Sequence, residues 1–490
     1  MVFSSTIFLC VYLPLVLLGY YICPKKGRNL FLLIVSLVFY AWGEPKYVFL
    51  MIFSILVNYI FGRLMDKNRG RQKRMKLLLV LSVVIDLGLL SVFKYTDFII
   101  TNVNAIFGSS FDLLNIALPI GISFYTFQAM SYTIDVYRDD VRVQKNLIDF
   151  GMYITMFPQL IAGPIVRYAD VQDQLAERSV TTADFSEGVM RFVVGLGKKV
   201  LLANQMGAVW SEIYALGGDV SALMAWTGAI AYTFQIYFDF SGYSDMGRGL
   251  ALIMGMKIES DFYYPFAACT PTDYLRRFFR SLGDFLEDYV ALPIERVACR
   301  GSDVRVTWRK RTASFFAGAV VATITALWFK ASIPMLVAFL PLILLIAAER
   351  AVHCGGGGSS LVRRNLATRT VGRIVTLVLV SLFWTQLKLR SVGQLLDYFS
   401  TLTVLGSYQS YMVYMTVFNQ EYIWALLAAA WLVIPSVLGW YGVDLSRGRA
   451  GAVVRTVYCV GLLACFVFSV FVIMPQYPGY AVSPFKYITF

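Results

Sequence analysis

Long apolar stretches recur from one end of the chain to the other, separated by short polar and basic loops. Stretches of about 18 or more apolar residues are long enough to cross a bilayer as helices. We estimate about eleven spans. The first, Thr6 to Ile22, lacks the basic segment and cleavage site of a signal peptide and is therefore interpreted as a retained span. The pattern predicts an all-α polytopic membrane protein with a single domain over residues 1–490 and with additional amphipathic and re-entrant helices.

One apolar stretch, Thr323 to Arg350, is interrupted once, at Lys330 to Pro334. A break at membrane depth is tolerated where protein or a water-lined cavity satisfies the freed backbone groups, so an interrupted pair of helices here is a candidate site. A short turn between two ordinary spans explains the pattern equally well. The pattern leaves both interpretations open.

The segment from Thr270 to Pro293 has the periodicity of an amphipathic helix. Thr270, followed by Pro271 at the first helical position, is a plausible capped start. The apolar face contains Leu275, Phe278, Phe279, Leu282, Phe285, Leu286 and Tyr289. The polar face contains Arg276, Arg277, Arg280, Asp284, Glu287 and Asp288. We therefore predict one helix that lies at the membrane surface.

Composition agrees with a membrane protein and excludes several other classes. The 490 residues are 58% hydrophobic and 15% charged, and the formal net charge of +13 resides in short loops, which indicates positive-inside bias and not nucleic-acid binding. Because the earliest basic loops follow the first and third spans, the amino terminus is predicted to lie outside, whereas the side of the carboxyl-terminal tail stays open.

The cysteine and histidine content favours neither a disulfide framework nor a metal site. The single histidine, His353, adjoins a glycine-rich loop at 355–360 and is interpreted as a cytoplasmic surface residue. We predict packing roles for the seven scattered cysteines: Cys10, Cys23, Cys269, Cys299, Cys354, Cys459 and Cys465.

Four polar residues fall within or against apolar segments, namely Asp135, Gln159, Asp239 and Asp245. Ionisable groups at membrane depth are costly, which favours a functional role or internal pairing. The stretches around them are ALPIGISFYTFQAMSYTIDVYR from Ala117, QKNLIDFGMYITMFPQLIAGPIVRY from Gln144 and FDFSGYSDMGRGLALIMG from Phe238, and the chain closes with PFKYITF. With these segments in this order, the chain resembles the alginate O-acetyltransferase branch of the membrane-bound O-acyltransferase family.

The resemblance implies a ring of helices around a thinned centre in the bacterial cytoplasmic membrane. Family members pass an acyl group from a cytoplasmic thioester, acetyl-CoA or an acyl carrier protein, to a hydroxyl on the other side, and partner proteins then acetylate an exported polysaccharide. No other cofactor is implied. Four residues are expected to line the conduit or to pack beside it: Trp328, Phe278, Gln159 and Tyr243. The same motifs also suit plain helix packing, with a kink at Gly163-Pro164 and close approach at Gly242.

The resemblance also shows where this chain departs from the family. The family's histidines correspond to Phe279, Phe329 and Leu342, and the family's Leu-Trp-His-Gly-Ala-Ser motif reads Leu-Trp-Phe-Lys-Ala-Ser here. Acyl transfer to a hydroxyl needs a group that accepts its proton, and a positioned general base contributes roughly a hundred- to ten-thousand-fold. Phenylalanine and leucine cannot supply it.

Three functional hypotheses follow. The first is a non-catalytic scaffold or partner in a cell-surface acylation or export system. The second is an active O-acyltransferase that uses another base, Asp239, Asp245, Asp288 or Lys330, or Cys269 as a nucleophile. The third is a conduit for a lipid or acyl species. For the first we predict that the rings of Phe279 and Phe329 are buried, with centroids about 4.5 to 7 Å apart, and close a tunnel through the protein.

Overall fold

The computed structural model describes residues 3–161, 163–216, 220–298, 308–353, 366–389 and 391–403, with three isolated positions at 460, 461 and 467. Within these ranges the chain is helical and contains no β-strand, as predicted. The helices are α1 Leu13–Ile22, α2 Arg28–Gly43, α3 Val48–Lys67, α4 Gln72–Lys94, α5 Thr96–Phe107, α6 Ile122–Arg138, α7 Leu147–Thr155, α8 Phe157–Leu160, α9 Tyr168–Ala176, α10 Thr182–Gly197, α11 Asn204–Ala215, α12 Ala222–Ile253, α13 Pro271–Arg277, α14 Arg280–Leu286, α15 Leu292–Ala298, α16 Trp308–Phe329, α17 Ile333–His353, α18 Leu366–Thr385 and α19 Val392–Thr401.

Shorter helical turns connect these elements. Three are π-type, at Phe8–Tyr12, Lys198–Ala203 and Glu287–Ala291, and two are 3₁₀ turns, at Lys25–Gly27 and Pro265–Ala267. The glycine loop 355–360, the cysteines at 299, 354, 459 and 465 and the closing motif lie outside the described residues. So does the side chain of His353, the last residue of α17.

Among the described residues, α3, α4, α16, α17 and α18 are long and apolar enough to cross a membrane, and the segment Phe8–Ile22 is apolar but shorter. This confirms a polytopic membrane protein, whereas the estimate of about eleven spans stays a prediction. The break after Phe329 is only three residues long, and α16 and α17 on either side of it are each of spanning length. A short turn between two helices of spanning length therefore fits this point, and the depth of the break in the membrane stays a prediction.

Helices α10 and α12 cross with their backbones almost in contact. A Cβ placed on Gly242 would lie 2.7 Å from the carbonyl oxygen of Gly195, and one on Gly249 would lie 2.5 Å from that of Gly188. Any larger side chain would force the helices apart, so this crossing needs glycine. The close approach predicted at Gly242 is confirmed.

The segment Thr270 to Pro293 is not the single helix that its periodicity predicts. Thr270 caps α13 as predicted, because its Oγ1 accepts a hydrogen bond from the Asp273 amide at 3.2 Å. The helix then ends, and Phe278 is extended while Phe279 has a left-handed backbone (φ 60°, ψ 60°) before α14 begins. This pair therefore separates α13 from α14, and both rings are buried, at 1% and 2% exposure.

Candidate functional site

Two phenyl rings occupy the centre of the predicted site. The ring centroids of Phe279 and Phe329 lie 5.9 Å apart with an interplanar angle of 56°, and both side chains are at most 2% exposed. The predicted contact and burial are therefore confirmed. Further aromatic residues surround the pair: Phe240, Phe262, Phe278, Trp328, Phe383 and Trp384. We call Phe279, Phe329 and Trp328 the aromatic plug.

A clamp of hydrogen bonds holds the left-handed turn at Phe279. The Arg280 amide donates to the carbonyl oxygen of Asp261 at 2.9 Å, and the Ser281 amide donates to the Asp261 carboxylate at 2.7 Å. On the other side of the turn the Tyr263 amide donates to the Arg277 carbonyl oxygen at 2.9 Å. A left-handed conformation is a genuine outlier for a bulky residue, and such conformations persist where the surroundings impose them, often at functional sites.

A cavity of about 660 Å³ reaches the aromatic plug along one face of α16. We call it the α16 cavity. Its wall follows this helix in steps of three or four residues from Lys310 to Phe329, which is about 28 Å of helix. The Lys310 end also contains Arg350, which forms ion pairs with Glu287 at 2.6 Å and Glu295 at 2.9 Å. The cavity therefore runs from a charged mouth to an apolar end.

A second cavity, of about 580 Å³, lies beyond the aromatic plug and includes Lys94, Ser123, Phe124 and Lys330 in its wall. We call it the Lys94 cavity. Within the part of the chain that the structure describes, the two cavities have no lining residue in common. The ring of Trp328 lies between them, 5.2 Å from that of Phe124 and 5.5 Å from that of Phe279. Aromatic rings in contact therefore link a residue of one cavity wall to a residue of the other.

The other residues expected near the site are buried but play different parts. Leu342 belongs to the same apolar core, and Phe278 packs on Trp384 with centroids 4.8 Å apart. Gln159 donates to the Tyr153 carbonyl oxygen at 2.8 Å, and Tyr243 stacks on Phe3 at 4.4 Å. None of Leu342, Gln159 and Tyr243 lines either cavity.

Two of the candidate replacement bases lie on α12 and are held in ion pairs. Asp239 pairs with Lys199 in the interior, where both side chains are at most 4% exposed, and Asp245 pairs with Lys198 at 2.6 Å. Both lysines lie on the π-type turn Lys198–Ala203. The carboxylates were predicted from the sequence but the lysines were not, because no local pattern links residues 40 and 47 positions apart.

The remaining candidate bases are also engaged elsewhere. Asp288 accepts a hydrogen bond from Arg167 at 2.5 Å, and Lys330 donates to the carbonyl oxygens of Leu387 and Leu389 at 3.0 and 2.8 Å. The thiol of Cys269 is half-buried beside the Ala267 carbonyl oxygen. None of these residues, and neither Asp239 nor Asp245, lines the α16 cavity.

The polar residue Asp135 takes part in a cluster at the end of α6. Its carboxylate accepts a hydrogen bond from the Tyr289 hydroxyl at 2.7 Å, and the guanidinium groups of Arg138 and Arg167 lie 5.0 and 5.3 Å from the centre of the Tyr289 ring. Internal pairing thus accounts for Asp135. Three arginines were predicted to be on a polar face: Arg276 and Arg280 are exposed and Arg277 is half-buried.

Residues 135–339 match the family model of MBOAT, the membrane-bound O-acyltransferase family. Among curated proteins, the chain is 43% identical over 298 residues to "Probable alginate O-acetylase AlgI" of Pseudomonas syringae pv. tomato, covering 60% of this chain and 57% of the relative. It is 32% identical over 326 residues to "Peptidoglycan O-acetyltransferase" of Helicobacter pylori, covering 60% and 62%.

A more distant similarity joins the chain to "Teichoic acid D-alanyltransferase" of Lacticaseibacillus rhamnosus, at 24% identity over 301 residues, covering 57% of this chain and 71% of that protein. The matches to the alginate O-acetylases span less than two thirds of those proteins. The matched family region contains Phe279 and Phe329 together with both ion-paired aspartates of α12.

Proposed function

Because the chain belongs to the membrane-bound O-acyltransferase family, we propose that it is a catalytically degenerate member. It acts as a scaffold or partner in a cell-surface polysaccharide O-acylation or export system. The proposal rests chiefly on one observation: where the family resemblance places a pair of histidines, Phe279 and Phe329 pack against each other at 5.9 Å in a buried aromatic plug.

The aromatic plug offers no group that could carry out acyl transfer. A phenyl ring neither accepts the proton of an attacking hydroxyl nor stabilises the charge that develops on the carbonyl oxygen. The turn at Phe279 is left-handed, although this conformation costs an L-residue about 1 to 2 kcal/mol. A turn that still carries this cost suits a fold inherited from an active ancestor.

The setting of the scaffold follows from its relatives. Their names refer to alginate, peptidoglycan and teichoic acid, all polymers of the cell surface. We therefore place this protein in the bacterial cytoplasmic membrane with its amino terminus outside and with envelope acyltransferases or export proteins as partners. On this orientation the mouth of the α16 cavity near Lys310 faces the cytoplasm, and the Lys94 cavity faces the opposite side.

The α16 cavity is suited to an elongated donor even without transfer. Its charged mouth and apolar end match a thioester with a phosphate-bearing head and a narrow arm, such as acetyl-CoA or an acyl carrier protein. A donor bound there would end at Phe329 and Phe279 and would find no base. We propose no other cofactor.

An active enzyme with a different base is the second candidate. It would need one of Asp239, Asp245, Asp288 or Lys330 to leave its present partner and reach the end of the α16 cavity. Four single variants decide this hypothesis: Asp239→Asn, Asp245→Asn, Asp288→Asn and Lys330→Met. Loss of transfer at one position alone would support it, whereas unchanged activity across all four would remove it.

A conduit for a lipid or acyl species is the third candidate. It would require passage between the rings of Phe124, Trp328 and Phe279. The Trp328 ring centroid lies 5.2 Å from that of Phe124 and 5.5 Å from that of Phe279. Flux of fluorescent lipid across liposomes with and without the protein measures this directly. We expect equal rates, because the rings of Phe124, Trp328 and Phe279 pack against one another between residues of the two cavity walls.

The scaffold role itself is tested by transfer and by complex formation in the same preparation. The purified protein is placed in liposomes with radiolabelled acetyl-CoA or an acetylated acyl carrier protein as donor. The amount of acetyl label transferred to hydroxyl acceptors should equal that in protein-free liposomes. Envelope proteins encoded beside it should co-purify with the wild-type protein. Transfer above the control would reject degeneracy, and the absence of any stable envelope partner would reject the scaffold role.

A further inference from the structure

A third cavity, of about 570 Å³, lies beside the clamp that holds Phe279. The segment after α8, the loop after α12 and helix α14 with the turn that follows it form its walls. Six carboxylates and three basic side chains line it. Because the whole chain carries a formal net charge of +13, a surface with twice as many acidic as basic groups is unusual for this protein. We call it the Asp261 cavity.

The residue that names this cavity is a buried carboxylate with one oxygen unsatisfied. Asp261 is 1% exposed, and its Oδ1 accepts from the Ser281 amide at 2.7 Å. Its Oδ2 is buried and has no hydrogen-bond partner among the described residues. Burial raises the pKa of Asp261 to about 6, and the hydrogen bond from Ser281 opposes that rise. A buried carboxylate oxygen without a partner is costly, so a cation that reaches it would stabilise it.

An unsatisfied donor lies in the same cavity. Arg167 donates through Nη1 to Asp288 at 2.5 Å, but its Nη2 is buried with no partner among the residues that the structure describes. Two residues of the cavity wall thus carry buried atoms without a partner, an acceptor at Asp261 and a donor at Arg167. A matching ligand has to supply both a cationic donor and a neutral or anionic acceptor.

The carboxylates are not arranged for a metal ion. Among the described residues, no group of three or more His, Cys, Asp or Glu side chains is placed to hold one. Separated carboxylates favour a larger cation that donates hydrogen bonds in several directions, and guanidinium has five N–H donors in a fixed planar array. The rim is reachable from solvent, because the side chains of Arg280 and Glu259 are 52% and 79% exposed.

We propose that the Asp261 cavity binds an arginine side chain of a partner protein. The guanidinium group contacts Asp261 Oδ2, and the main-chain carbonyl oxygen of the same arginine accepts from Arg167 Nη2. This site goes beyond the scaffold function proposed above, because it lies apart from the family's histidine positions and needs no acyl transfer. It specifies the partner as one that presents an arginine in an exposed segment.

The test uses the full-length protein in detergent and two blocked amino acids as probes, N-acetyl-arginine methylamide and its neutral isostere N-acetyl-citrulline methylamide. Isothermal titration calorimetry should show saturable binding of the arginine probe and at least about tenfold weaker binding of the citrulline probe, as expected when a buried charge pair is lost. Equal binding of the two probes would overturn the proposal without requiring any variant.

Two substitutions locate the site. Asp261→Asn keeps an oxygen for the Ser281 amide but removes the charge at Oδ2, and should weaken arginine binding at least about tenfold. Glu259→Gln removes an exposed carboxylate from the same cavity and should leave binding within about twofold.

Hydrogen exchange gives an independent location of the bound probe. Arginine binding should slow exchange in residues 257–261 and 280–288 of the wild-type protein. Arginine binding that is unchanged in Asp261→Asn, protection confined to other segments, or binding of Mg²⁺ or Ca²⁺ in place of the arginine probe would each contradict the assignment.

Discussion

The buried ammonium group of Lys94 donates a hydrogen bond to the carbonyl oxygen of Trp328 at 2.5 Å, which joins the last residue of α4 to the last turn of α16. The final carbonyl groups of a helix have no partner within it, and a cation at this end is favourable. Lys94 also lies 3.4 Å from the hydroxyl of Ser123, at the start of α6. One side chain thus connects three helices beside the aromatic plug.

Replacing Lys94 should therefore destabilise the protein. Lys94→Met removes the hydrogen bond to the Trp328 carbonyl oxygen and should lower the free energy of unfolding by about 1 to 3 kcal/mol. Thermal unfolding in detergent measures the loss. Lys76→Met, at an exposed position near the start of the same helix, is the matched control and should change stability by less than about 0.5 kcal/mol.

The left-handed turn at Phe279 predicts that the glycine variant is more stable than the alanine variant, which is the reverse of the order within a helix. Phe279→Ala and Phe279→Gly both remove the buried ring, at about 3 to 5 kcal/mol. Glycine also relieves the backbone strain and should be the more stable of the two by about 1 kcal/mol. At Phe285, buried within α14, alanine should instead be more stable than glycine by a similar amount. The same order of stability for alanine and glycine at both positions would show that the backbone at Phe279 is not strained.

The ion pair of Lys199 and Asp239 should show the behaviour of a buried pair. Lys199→Met alone leaves an uncompensated carboxylate in the interior and should cost about 3 to 5 kcal/mol. Adding Asp239→Leu removes that charge and should recover most of the loss. Lys198→Met, which breaks the more accessible pair with Asp245, should cost less. A double variant no more stable than Lys199→Met would show that the two charges are not coupled.

Asp261 predicts a specific dependence of stability on pH. Burial raises its folded-state pKa from 3.8 to about 6, so the folded protein holds this proton more tightly than the unfolded chain. Stability from this group is therefore greatest below about pH 4, falls as the pH rises to about 6, and is level above that value. Asp261→Asn removes the cost and should be more stable than wild type at pH 7.5 by up to about 3 kcal/mol.

The measurement that checks this is thermal unfolding of wild type and Asp261→Asn between pH 4.5 and 8. Their difference should be small at the acidic end and grow to a plateau above about pH 6.5. Taking the difference between the two proteins removes the contribution of the other titrating groups. A difference that does not vary with pH would mean that Asp261 titrates normally.

Periodicity along the chain predicted the parts of the fold that depend on local pattern. Lys330 to Pro334 indicated the break between α16 and α17, and the Thr270 cap and the buried face that follows it are present. The break within that face was missed, because nothing in the residue types at Phe278 and Phe279 signals a left-handed turn. Asp261 imposes this turn from outside the helix.

At the site, too, residues in sequence motifs were predicted, whereas the contacts of Lys199 and Lys94 with distant residues were not. The family motifs identified Phe279 and Phe329 as its centre, and their contact is present. The partners Lys199 and Lys94 were missed, since each meets its target only through helix packing, across 40 and 234 positions of sequence. Local motifs therefore predicted which residues form the centre of the site, whereas their contacts with distant residues depend on tertiary structure.

We propose that Phe279 and Phe329 leave the protein without transfer chemistry. The most direct test is the amount of acetyl ester formed per mole of purified wild-type protein in liposomes supplied with acetyl-CoA and a hydroxyl acceptor, measured by mass spectrometry against protein-free liposomes. We expect the two values to be equal in a preparation whose unfolding profile shows that the protein is folded. Ester that increases with protein amount and with time would contradict it.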